Sequence, residues 1–371
     1  MLGAEMATAS TATFDVTFPA GARTTCIVGA GALMRLDEHC AAAGLTGDAA
    51  LIADAKVLSL HAMPAGLGAP IARPVAESTK TLAEVEAICR GLAERRLGRD
   101  GYVVAVGGGV LTDLAGLAAA LYLRGVPWVS APTTLLAQVD AGLGGKTGAN
   151  LGAGKNLVGA FHQPRLVVAD TALLATLPER ERWSGLAEVV KCALLAPGQD
   201  ARGVALLERC EAGLERAAAG DAEELAALVE ACLRFKGAIV SADEREGGAR
   251  AQLNLGHTVG HALEAATGYT RFTHGEAVAL GLRAAVKLSR RRGLLDATAA
   301  DRALALIARL RVAAPAALST EERSRALEAM ARDKKARGGH VRFVLLEDLG
   351  RFTLVEADPA EALDDGIPPP P

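Results

Sequence analysis

The chain has 371 residues, of which 50% are hydrophobic and 3% aromatic, and its formal net charge is −3. This length and apolar content predict a globular protein of about two domains. The net negative charge gives no bulk attraction for nucleic acid, and the few aromatic residues give no stacking platform, so we expect no nucleic-acid partner.

The longest uncharged apolar run, at 114–123, is too short to cross a bilayer, so we expect no membrane partner. The six cysteines are scattered and form no CxxC pair. This usage indicates reduced thiols rather than a disulfide framework, and therefore a cytoplasmic protein.

The first half of the chain alternates strand-like and helix-like patterns. Helices are predicted at 32–43 and 81–95, and strands at 14–18, 24–28, 49–54, 102–106, 128–131 and 166–170. Short runs that are apolar on both faces are typical of a parallel sheet covered by helices. We therefore predict an α/β N-terminal domain over residues 1–178.

Asp54 ends the predicted strand 49–54. A carboxylate at the carboxyl end of a strand in an α/β sheet often binds an adenosine ribose. The same side chain could instead cap the helix that follows. The sequence leaves both interpretations open.

A glycine turn, Gly107–Gly109, joins the predicted strand 102–106 to an apolar helix. Glycines let the backbone approach a pyrophosphate, whose charge faces the helix N-terminus. The turn is not a GxGxxG motif, and glycine turns between strand and helix are common. The arrangement nevertheless favours a nucleotide, so the N-terminal domain is predicted to bind one.

Residues 138–159 are rich in glycine and contain Lys146 and Lys155. Exposed backbone N–H groups together with lysine charges are typical of an anion-binding loop. A flexible surface linker is the alternative, but it fits poorly because apolar strands flank the segment closely. We predict an anion-binding loop.

From about Leu177 one helix-like pattern follows another, and strands return only at 339–346 and 351–355. We predict a mainly α-helical C-terminal domain over residues 179–365. Ser184 is a candidate helix cap. Glu188 and Lys191, three residues apart, share a helix face. Glu188 is either a solvated partner of Lys191 or the carboxylate ligand of a metal site.

Three of the seven histidines lie between residues 257 and 274. His257 and His261 are four residues apart, so a helix places both imidazoles on one face. Two imidazoles with a carboxylate suit Zn²⁺ or a similar divalent cation, although such pairs are also common on helix surfaces. Arg250 and Asn254 lie on the same side and favour an anionic substrate, because arginine binds phosphate and carboxylate bidentately.

A series of short motifs resembles the 3-dehydroquinate synthases, and the resemblance runs from about residue 50 to residue 350. In chain order the motifs are Glu77-x-x-Lys80, Gly107-Gly-Gly-Val-x-x-Asp113-x-x-Gly, Pro132-Thr-Thr-Leu-Leu-Ala-Gln-Val-Asp140, Gly144-Gly-Lys146-Thr-Gly, Gly154-Lys-Asn156, Gly185-Leu-Ala-Glu188-Val-Val-Lys191, Leu253-Asn-Leu-Gly-His257-Thr-x-Gly-His261, His274-Gly-Glu-Ala-Val-Ala and Asp333-Lys-Lys335.

The resemblance implies a dehydroquinate synthase-like fold with an α/β nucleotide-binding domain and a mainly helical metal-binding domain. It also implies a lyase of the shikimate pathway that uses NAD and one divalent metal, Zn or Co. The sugar phosphate substrate would be 3-deoxy-D-arabino-heptulosonate 7-phosphate. Transient oxidation, β-elimination of phosphate, reduction and intramolecular aldol closure would yield 3-dehydroquinate.

The resemblance further implies roles for individual residues. Metal ligation falls on Glu188, His257 and His274, and His261 becomes a proton-relay residue instead of a ligand. Contacts to NAD fall on Asp54, Glu77, Lys80, Gly109, Val110, Leu111, Thr112, Asp113, Thr133, Thr134, Lys146, Lys155, Leu173, Leu174, Ala175 and Thr176. Substrate contacts fall on Asp140, Lys146, Asn156, Lys191, Lys236, Arg250, Asn254 and Lys334, and Arg124 would reach across the interface of a homodimer.

Departures from the family pattern keep alternatives open. Thr112 stands where the family usually has glycine, as it does in sugar phosphate cyclases that make valiolone- or inosose-type rings. Those relatives lose one of the residues at the positions of Arg250, Asn254 and His261, all kept here. Another sugar phosphate cyclase, including an amino-dehydroquinate synthase, and a metal-dependent polyol dehydrogenase are therefore the alternatives.

Overall fold

The computed structural model describes residues 11–152, 154–196, 198, 205–312, 317–332 and 341–367. The chain divides into two compact units. The first contains Met1–Leu177 and Gly220–Arg245, and the second contains Pro178–Ala219 and Glu246–Pro371. The α/β and helical fold classes predicted for the two halves are confirmed by the elements that each unit contains.

The strands are short, and most belong to the first unit. They are β1 Ala12–Thr17, β2 Arg23–Val28, β3 Ala49–Asp54, β4 Ile71–Arg73, β5 Tyr102–Gly107, β6 Trp128–Pro132, β7 Lys146–Leu151, β8 Gly154–Phe161, β9 Leu166–Ala169, β10 Val341–Asp348 and β11 Arg351–Ala357. The described helices are α1 Leu36–Ala42, α2 Ala55–Leu60, α3 Leu82–Glu94, α4 Gly109–Leu121, α5 Glu179–Leu195, α6 Leu206–Ala218, α7 Ala222–Ala242, α8 His257–Ala266, α9 His274–Arg291, α10 Ala297–Ala308, α11 Thr320–Arg332 and α12 Pro359–Gly366.

The first unit is built on a seven-stranded sheet with the order β1-β2-β9-β6-β5-β3-β4. All neighbours are parallel except β1 and β2. Val103 and Ala105 of β5 face one hydrophobic core, and Val104 and Val106 face another. Because alternate side chains of a strand point to opposite faces, both faces of this central strand are buried, as expected for a parallel sheet.

The order of the strands reverses at β3. The chain runs from β3 outward to β4 and then returns to place β5 on the other side of β3. In α/β sheets, ligands bind outside the carboxyl ends of the strands at such a switch point. Asp54 ends β3 and Gly107 ends β5, so both lie at the edge where a nucleotide is expected.

Helix α7 belongs to the first unit, whereas the sequence analysis included it in the domain 179–365. The helix packs on β1, where a Cβ on Gly237 would lie 2.7 Å from Val16. Arg234 lies over the ring of Phe14, with Cζ 4.1 Å from the ring centroid. Sequence periodicity shows that a stretch is helical but not which core its apolar face covers, which is why the assignment differed.

The predicted loop at 138–159 is instead largely a two-stranded antiparallel hairpin of β7 and β8. A Cβ on Gly159 would overlap the carbonyl oxygen of Thr147 on the opposite strand. Glycine therefore permits close backbone approach here, so its abundance does not indicate irregular structure. The hairpin packs on α4, where Gly116 lies against Thr147.

The second unit packs its helices around α9, which contacts α5, α8, α10, α12 and β10. Gly256, with φ 78°, immediately precedes α8. A Cβ built on Gly281 of α9 would overlap the carbonyl oxygen of Gly256. The two helices can therefore approach at backbone distance. Ser289 of α9 accepts a hydrogen bond from the N–H of Leu346 at 2.9 Å, which joins the β10–β11 hairpin to the helices.

Among the described residues, every helix is too short or too polar to traverse a lipid bilayer.

Candidate functional site

Helix α5 carries a buried charge pair. Glu188 is fully buried and Lys191 is 1% exposed, and the carboxylate Oε2 of Glu188 forms an ion pair with the ammonium of Lys191. The sequence analysis left open a solvated pair; burial excludes it. A buried carboxylate needs charged or hydrogen-bonding partners to offset its desolvation, so its second oxygen, Oε1, is of particular interest.

Two histidines face that second oxygen. His257 is the first residue of α8 and His274 is the first residue of α9. Their Nε2 atoms lie 3.5 Å and 3.4 Å from Oε1 of Glu188. Three potential ligand atoms, one from each of these residues, lie within 4.8 Å of one another. The structure thus brings together the three residues that the resemblance implies as metal ligands.

The spacing fits a tetrahedral cation site. Zn²⁺ binds imidazole nitrogen and carboxylate oxygen at about 2.1 Å, so two ligands of one tetrahedron are separated by about 3.4 Å. The separations of 3.5 Å and 3.4 Å from Glu188 match that edge. The donor set of two imidazoles and one carboxylate is also one that catalytic sites use, with a fourth position left for solvent or substrate.

The other ring nitrogen of each histidine is engaged. Nδ1 of His257 donates to the carbonyl oxygen of Leu255 at 3.1 Å. Nδ1 of His274 lies 3.1 Å from the carboxylate Oε2 of Glu264. A carbonyl can only accept, so the proton of His257 resides on Nδ1 and the lone pair on Nε2.

The two imidazoles differ in their affinity for protons. Burial and, to a lesser extent, the positive charge of Lys191 lower the pKa of His257 to about 3. Burial also lowers the pKa of His274, but hydrogen bonds to Glu188 and Glu264 outweigh burial and raise it to about 10. His257 is therefore a neutral donor, whereas a cation would compete with a proton at His274.

His261 occupies a different place from the one first expected of a helix pair. Its ring centroid is 5.1 Å from that of His257, but its side chain is exposed. Its ligand atom clusters with those of Glu264 and His274 instead of Glu188. His261 therefore lies beside His257 and His274 without belonging to the Glu188 group.

Close backbone packing holds the three residues together. Ser184 does not cap α5, which begins five residues earlier at Glu179; its hydroxyl accepts a hydrogen bond from the N–H of Gly275 at 3.0 Å. A Cβ on Gly275 would overlap the backbone of Ser184. Because Ser184 and Glu188 are one turn apart, this contact sets the N-terminus of α9, and with it His274, beside Glu188.

The residues implied as NAD contacts lie on several loops of the first unit. Gly109 begins α4, Thr133 and Thr134 follow β6, and a 3-10 helix at Thr171–Thr176 follows β9. Leu111 is buried in the core, and Leu173 and Leu174 are also buried, whereas Ala175 and Thr176 are exposed. The turn at Gly107–Gly109 thus has the strand–glycine–helix form that was predicted.

Two residues at this edge have direct structural roles. Asp54 accepts a hydrogen bond from the N–H of Lys56 at 2.9 Å, so the capping interpretation is realised. Thr112 is buried, and its hydroxyl donates to the carbonyl of Gly109 at 3.0 Å within its own helix. This departure from the family pattern therefore affects the first turn of α4.

A polar network connects the β7–β8 hairpin to the region of α4. The ammonium of Lys80 lies 2.5 Å from Asp113 and donates to Oδ1 of Asn156 at 2.6 Å. Burial raises the pKa of Asp113, and the charge of Lys80 opposes that shift. Asn150 donates to Glu77 at 2.8 Å, and Lys155 lies 3.7 Å from the same carboxylate.

The remaining implied substrate residues fall in both units. Lys236 of α7 donates to the Asp140 carboxylate at 2.6 Å, on the π-helical turn Ala137–Ala141. Lys146 begins β7 and is exposed, as is Arg124. In the second unit Arg250 is buried, and Asn254 donates to Glu246 at 3.0 Å. Lys334 lies outside the described residues.

Two structurally important polar residues, Gln138 and Glu264, were not predicted from the sequence. Gln138 is fully buried and donates to the carbonyls of Pro132 and Asp170, which ties the turn bearing Asp140 to the ends of β6 and β9. Glu264 follows His257 by seven residues, which is two helical turns on the same face. That spacing was available in the sequence as a signal.

Comparison with known families matches most of the chain. Residues 71–184 match the family described as 3-dehydroquinate synthase N-terminal, and residues 185–336 match that described as 3-dehydroquinate synthase C-terminal. The 3-dehydroquinate synthase of Methylococcus capsulatus is 48% identical over 283 residues, which cover 76% of each chain. That of Halorhodospira halophila is 47% identical over 291 residues, 78% of this chain and 80% of the relative.

Solved structures share the fold. A 2-epi-5-epi-valiolone synthase from Streptomyces hygroscopicus, solved with NAD⁺ and Zn²⁺, has a TM-score of 0.75 and 28% identity, with 86% of this chain and 90% of that chain covered. A 2-deoxy-scyllo-inosose synthase has a TM-score of 0.78 and 23% identity, with 96% and 99% covered. A glycerol dehydrogenase from Schizosaccharomyces pombe has a TM-score of 0.60 and 18% identity, with 91% and 86% covered.

These relationships decide between the alternatives. Sequence identity to the dehydroquinate synthases reaches 48%, well above that to the valiolone and inosose cyclases or the polyol dehydrogenase. The other cyclases and the dehydrogenase are therefore not favoured. The chain belongs to the 3-dehydroquinate synthase family.

Proposed function

We propose that the protein is a phosphate-eliminating carbon–oxygen lyase that converts 3-deoxy-D-arabino-heptulosonate 7-phosphate to 3-dehydroquinate and phosphate, a step of aromatic amino acid biosynthesis. The observation that carries the proposal is the spacing of Glu188, His257 and His274. The Nε2 atoms of both histidines lie from the Glu188 carboxylate at the separation of tetrahedral ligands, and the three residues fall in the part of the chain that matches the family.

Glu188, His257 and His274 would hold one Zn²⁺ or Co²⁺. Such a cation supplies Lewis acidity, which lowers the pKa of a substrate hydroxyl. The ammonium of Lys191 pairs with Oε2 of Glu188, and this charge keeps the buried carboxylate ionised. His261, exposed beside these residues, would exchange protons with the substrate through a ring nitrogen.

Asp54, Glu77, Lys80, Lys155, the first turn of α4 and the loops after β6 and β9 would bind NAD. The nicotinamide supplies a reversible hydride acceptor, so the cofactor is not consumed over the cycle. The N-terminus of α4 would receive the pyrophosphate, because its free N–H groups and helix dipole favour an anion. Lys80 and Asp113 fix the network on which the hairpin depends.

Cationic and amide side chains would bind the carboxylate and phosphate of the substrate. They are Lys146, Asn156, Lys191, Lys236, Arg250, Asn254 and Lys334. Asp140 would act through Lys236, whose ammonium it holds. Fixing both anionic ends of the substrate keeps it in a reactive geometry for elimination and ring closure.

A homodimer and a cytoplasmic location also form part of the proposal. Arg124 is exposed on a 3-10 turn in which Leu123 and Arg124 both have positive φ, and Leu121 and Leu123 are exposed beside it. Exposed apolar side chains around an arginine are typical of a protein interface. The reduced cysteines that the sequence predicts agree with a cytoplasmic enzyme.

The test is a reconstituted reaction. Purified protein is mixed with Zn²⁺ or Co²⁺, catalytic NAD⁺ and the heptulosonate phosphate, and inorganic phosphate and cyclic product are measured. We expect stoichiometric phosphate and 3-dehydroquinate with no net NADH. Stoichiometric NADH from glycerol-like alcohols without phosphate release would instead identify a polyol dehydrogenase, and a different cyclic product would identify another cyclase.

A further inference from the structure

We propose that Glu264 is a positioning residue of the metal centre, which fixes the tautomer of His274 and aims its Nε2 atom at the cation. The inference rests on the metal binding proposed above for Glu188, His257 and His274. Neither the family comparisons nor the motifs assign a role to Glu264. Its place on α8 and its short contact with His274 support the inference.

Helix α8 presents three functional side chains along one face. His257, His261 and Glu264 occupy its first, fifth and eighth positions, and residues four and seven apart lie on the same side of a helix. The first imidazole reaches Glu188, whereas the carboxylate two turns later reaches His274 of α9. One helix therefore provides a ligand and holds the ligand of its neighbour.

The carboxylate of Glu264 is buried beside His274. Its side chain is 6% exposed, and Oε2 lies 3.1 Å from Nδ1 of His274. Burying an ionised carboxylate is unfavourable unless hydrogen bonds offset the loss of water. Such a group beside a metal-binding imidazole is the usual arrangement for orienting the ring and increasing its basicity.

The two ring nitrogens of His274 face different carboxylates, Nε2 facing Glu188 and Nδ1 facing Glu264. Nε2 lies 3.4 Å from Oε1 of Glu188, on the side of the three-residue ligand group. A neutral imidazole has one N–H and one lone pair. If Nε2 binds the cation, Nδ1 keeps the proton, and Glu264 is its acceptor. Glu264 thus selects the tautomer that leaves Nε2 available.

The same cluster could in principle bind a cation in a second way, because His261, Glu264 and His274 also offer atoms within 4.8 Å of one another. That arrangement would use Nδ1 of His274 and Glu264 as direct ligands. It would leave Nε2 of the same ring protonated and facing Glu188, and His261 is exposed. The Glu188 group is more buried and matches tetrahedral spacing, so the positioning role is favoured.

The two imidazole ligands are supported differently. His257 is oriented by the backbone carbonyl of Leu255, which a substitution cannot remove, whereas His274 is oriented by a side chain. Glu264→Ala removes the acceptor, and Glu264→Gln keeps an acceptor oxygen without the charge. Ser289→Ala is the matched control. Ser289 is also a buried polar residue of α9, but it lies near the C-terminal end of the helix, away from His274.

The experiment measures the affinity of each full-length variant for Co²⁺ by competition with a chromophoric chelator. It also records the visible spectrum of bound Co²⁺ and the Tm of the metal-free protein. We expect Glu264→Ala to weaken Co²⁺ binding about 10- to 100-fold. Glu264→Gln should bind Co²⁺ with an affinity close to that of the parent, and the spectrum of its bound Co²⁺ should be unchanged. Ser289→Ala should lower Tm and leave the affinity near that of the parent.

Three results would overturn the inference. These are parent-like affinity in Glu264→Ala, an affinity loss in Ser289→Ala as large as that in Glu264→Ala, and loss of the parent Co²⁺ spectrum in Glu264→Gln, which would make Glu264 a direct ligand. Failure of the parent itself to bind one cation would instead refute the proposed metal centre, so the two failures are distinguishable.

Discussion

Gly275 lies so close to Ser184 that a Cβ atom on the glycine would overlap the serine backbone, and the serine hydroxyl accepts the glycine N–H at 3.0 Å. We expect Gly275→Ala to separate α9 from α5, because the obstacle is backbone and not a flexible side chain. The variant should lose about 2 kcal/mol or more of stability and bind Co²⁺ more weakly. Calorimetry and Co²⁺ titration would measure both effects.

Gly152→Ala provides a control for this substitution. No described atom lies within 4 Å of a Cβ built on Gly152, so the additional methyl group should change neither stability nor metal affinity measurably. Equal behaviour of the two alanine variants would show that the close approach of α9 to α5 is not required.

Glu188→Gln should reduce metal affinity and turnover together. The substitution removes the only charged oxygen donor of the three-residue ligand group and leaves the ammonium of Lys191 without its carboxylate. Metal content after dialysis and the rate of phosphate release would be measured on the same sample. As a control, Glu181→Gln at an exposed position of the same helix should retain both metal content and activity. Full metal content and activity in Glu188→Gln would show that Glu188 does not belong to the site.

His261→Ala should slow turnover at least 100-fold while the protein keeps its cation, because general acid–base residues contribute about 100- to 10,000-fold to rates. The imidazoles that cluster with Glu188 belong to His257 and His274, not to His261. Metal analysis and single-turnover phosphate release separate the two effects. Loss of the metal in this variant would instead support the His257–His261 pair that helical spacing suggests.

Lys80→Met should destabilise the first unit by about 1.5–3 kcal/mol, because it removes a charged hydrogen bond to the largely buried carboxylate of Asp113. Lys80→Met combined with Asp113→Asn should recover part of that stability. Urea unfolding of the two single variants and the double variant forms a double-mutant cycle. Additive losses would show that the 2.5 Å pair contributes no coupling energy.

Much of the architecture could be predicted from local patterns. The buried strands, the Gly107–Gly109 turn and the succession of helices all follow from residue periodicity, which local sequence specifies. The β7–β8 hairpin was mistaken for a loop, since its glycines serve close strand packing. The membership of α7 also could not be deduced, because its partners Val16 and Asp140 are remote in sequence.

The candidate site shows the same limit. Helical spacing alone favoured His257 and His261 as the pair of metal ligands. The spacing of residues within one helix gives no information about ligands on other helices. The sequence pattern left Glu188 with two interpretations, and only the motif resemblance assigned Glu188 and His274 as ligands. The structure brings both beside His257 through tertiary packing at Gly275. Their role as ligands stays a prediction until a cation is measured there.

The discontinuity of the first unit has a consequence for biosynthesis. Its sheet is translated by residue 169, yet α7, which supplies Lys236 to Asp140, ends only at residue 242. A ribosome must therefore produce α5 and α6 of the other unit before the first can be completed. A fragment that ends at residue 178 would lack this helix, so the two units cannot be separated by a single cut of the gene.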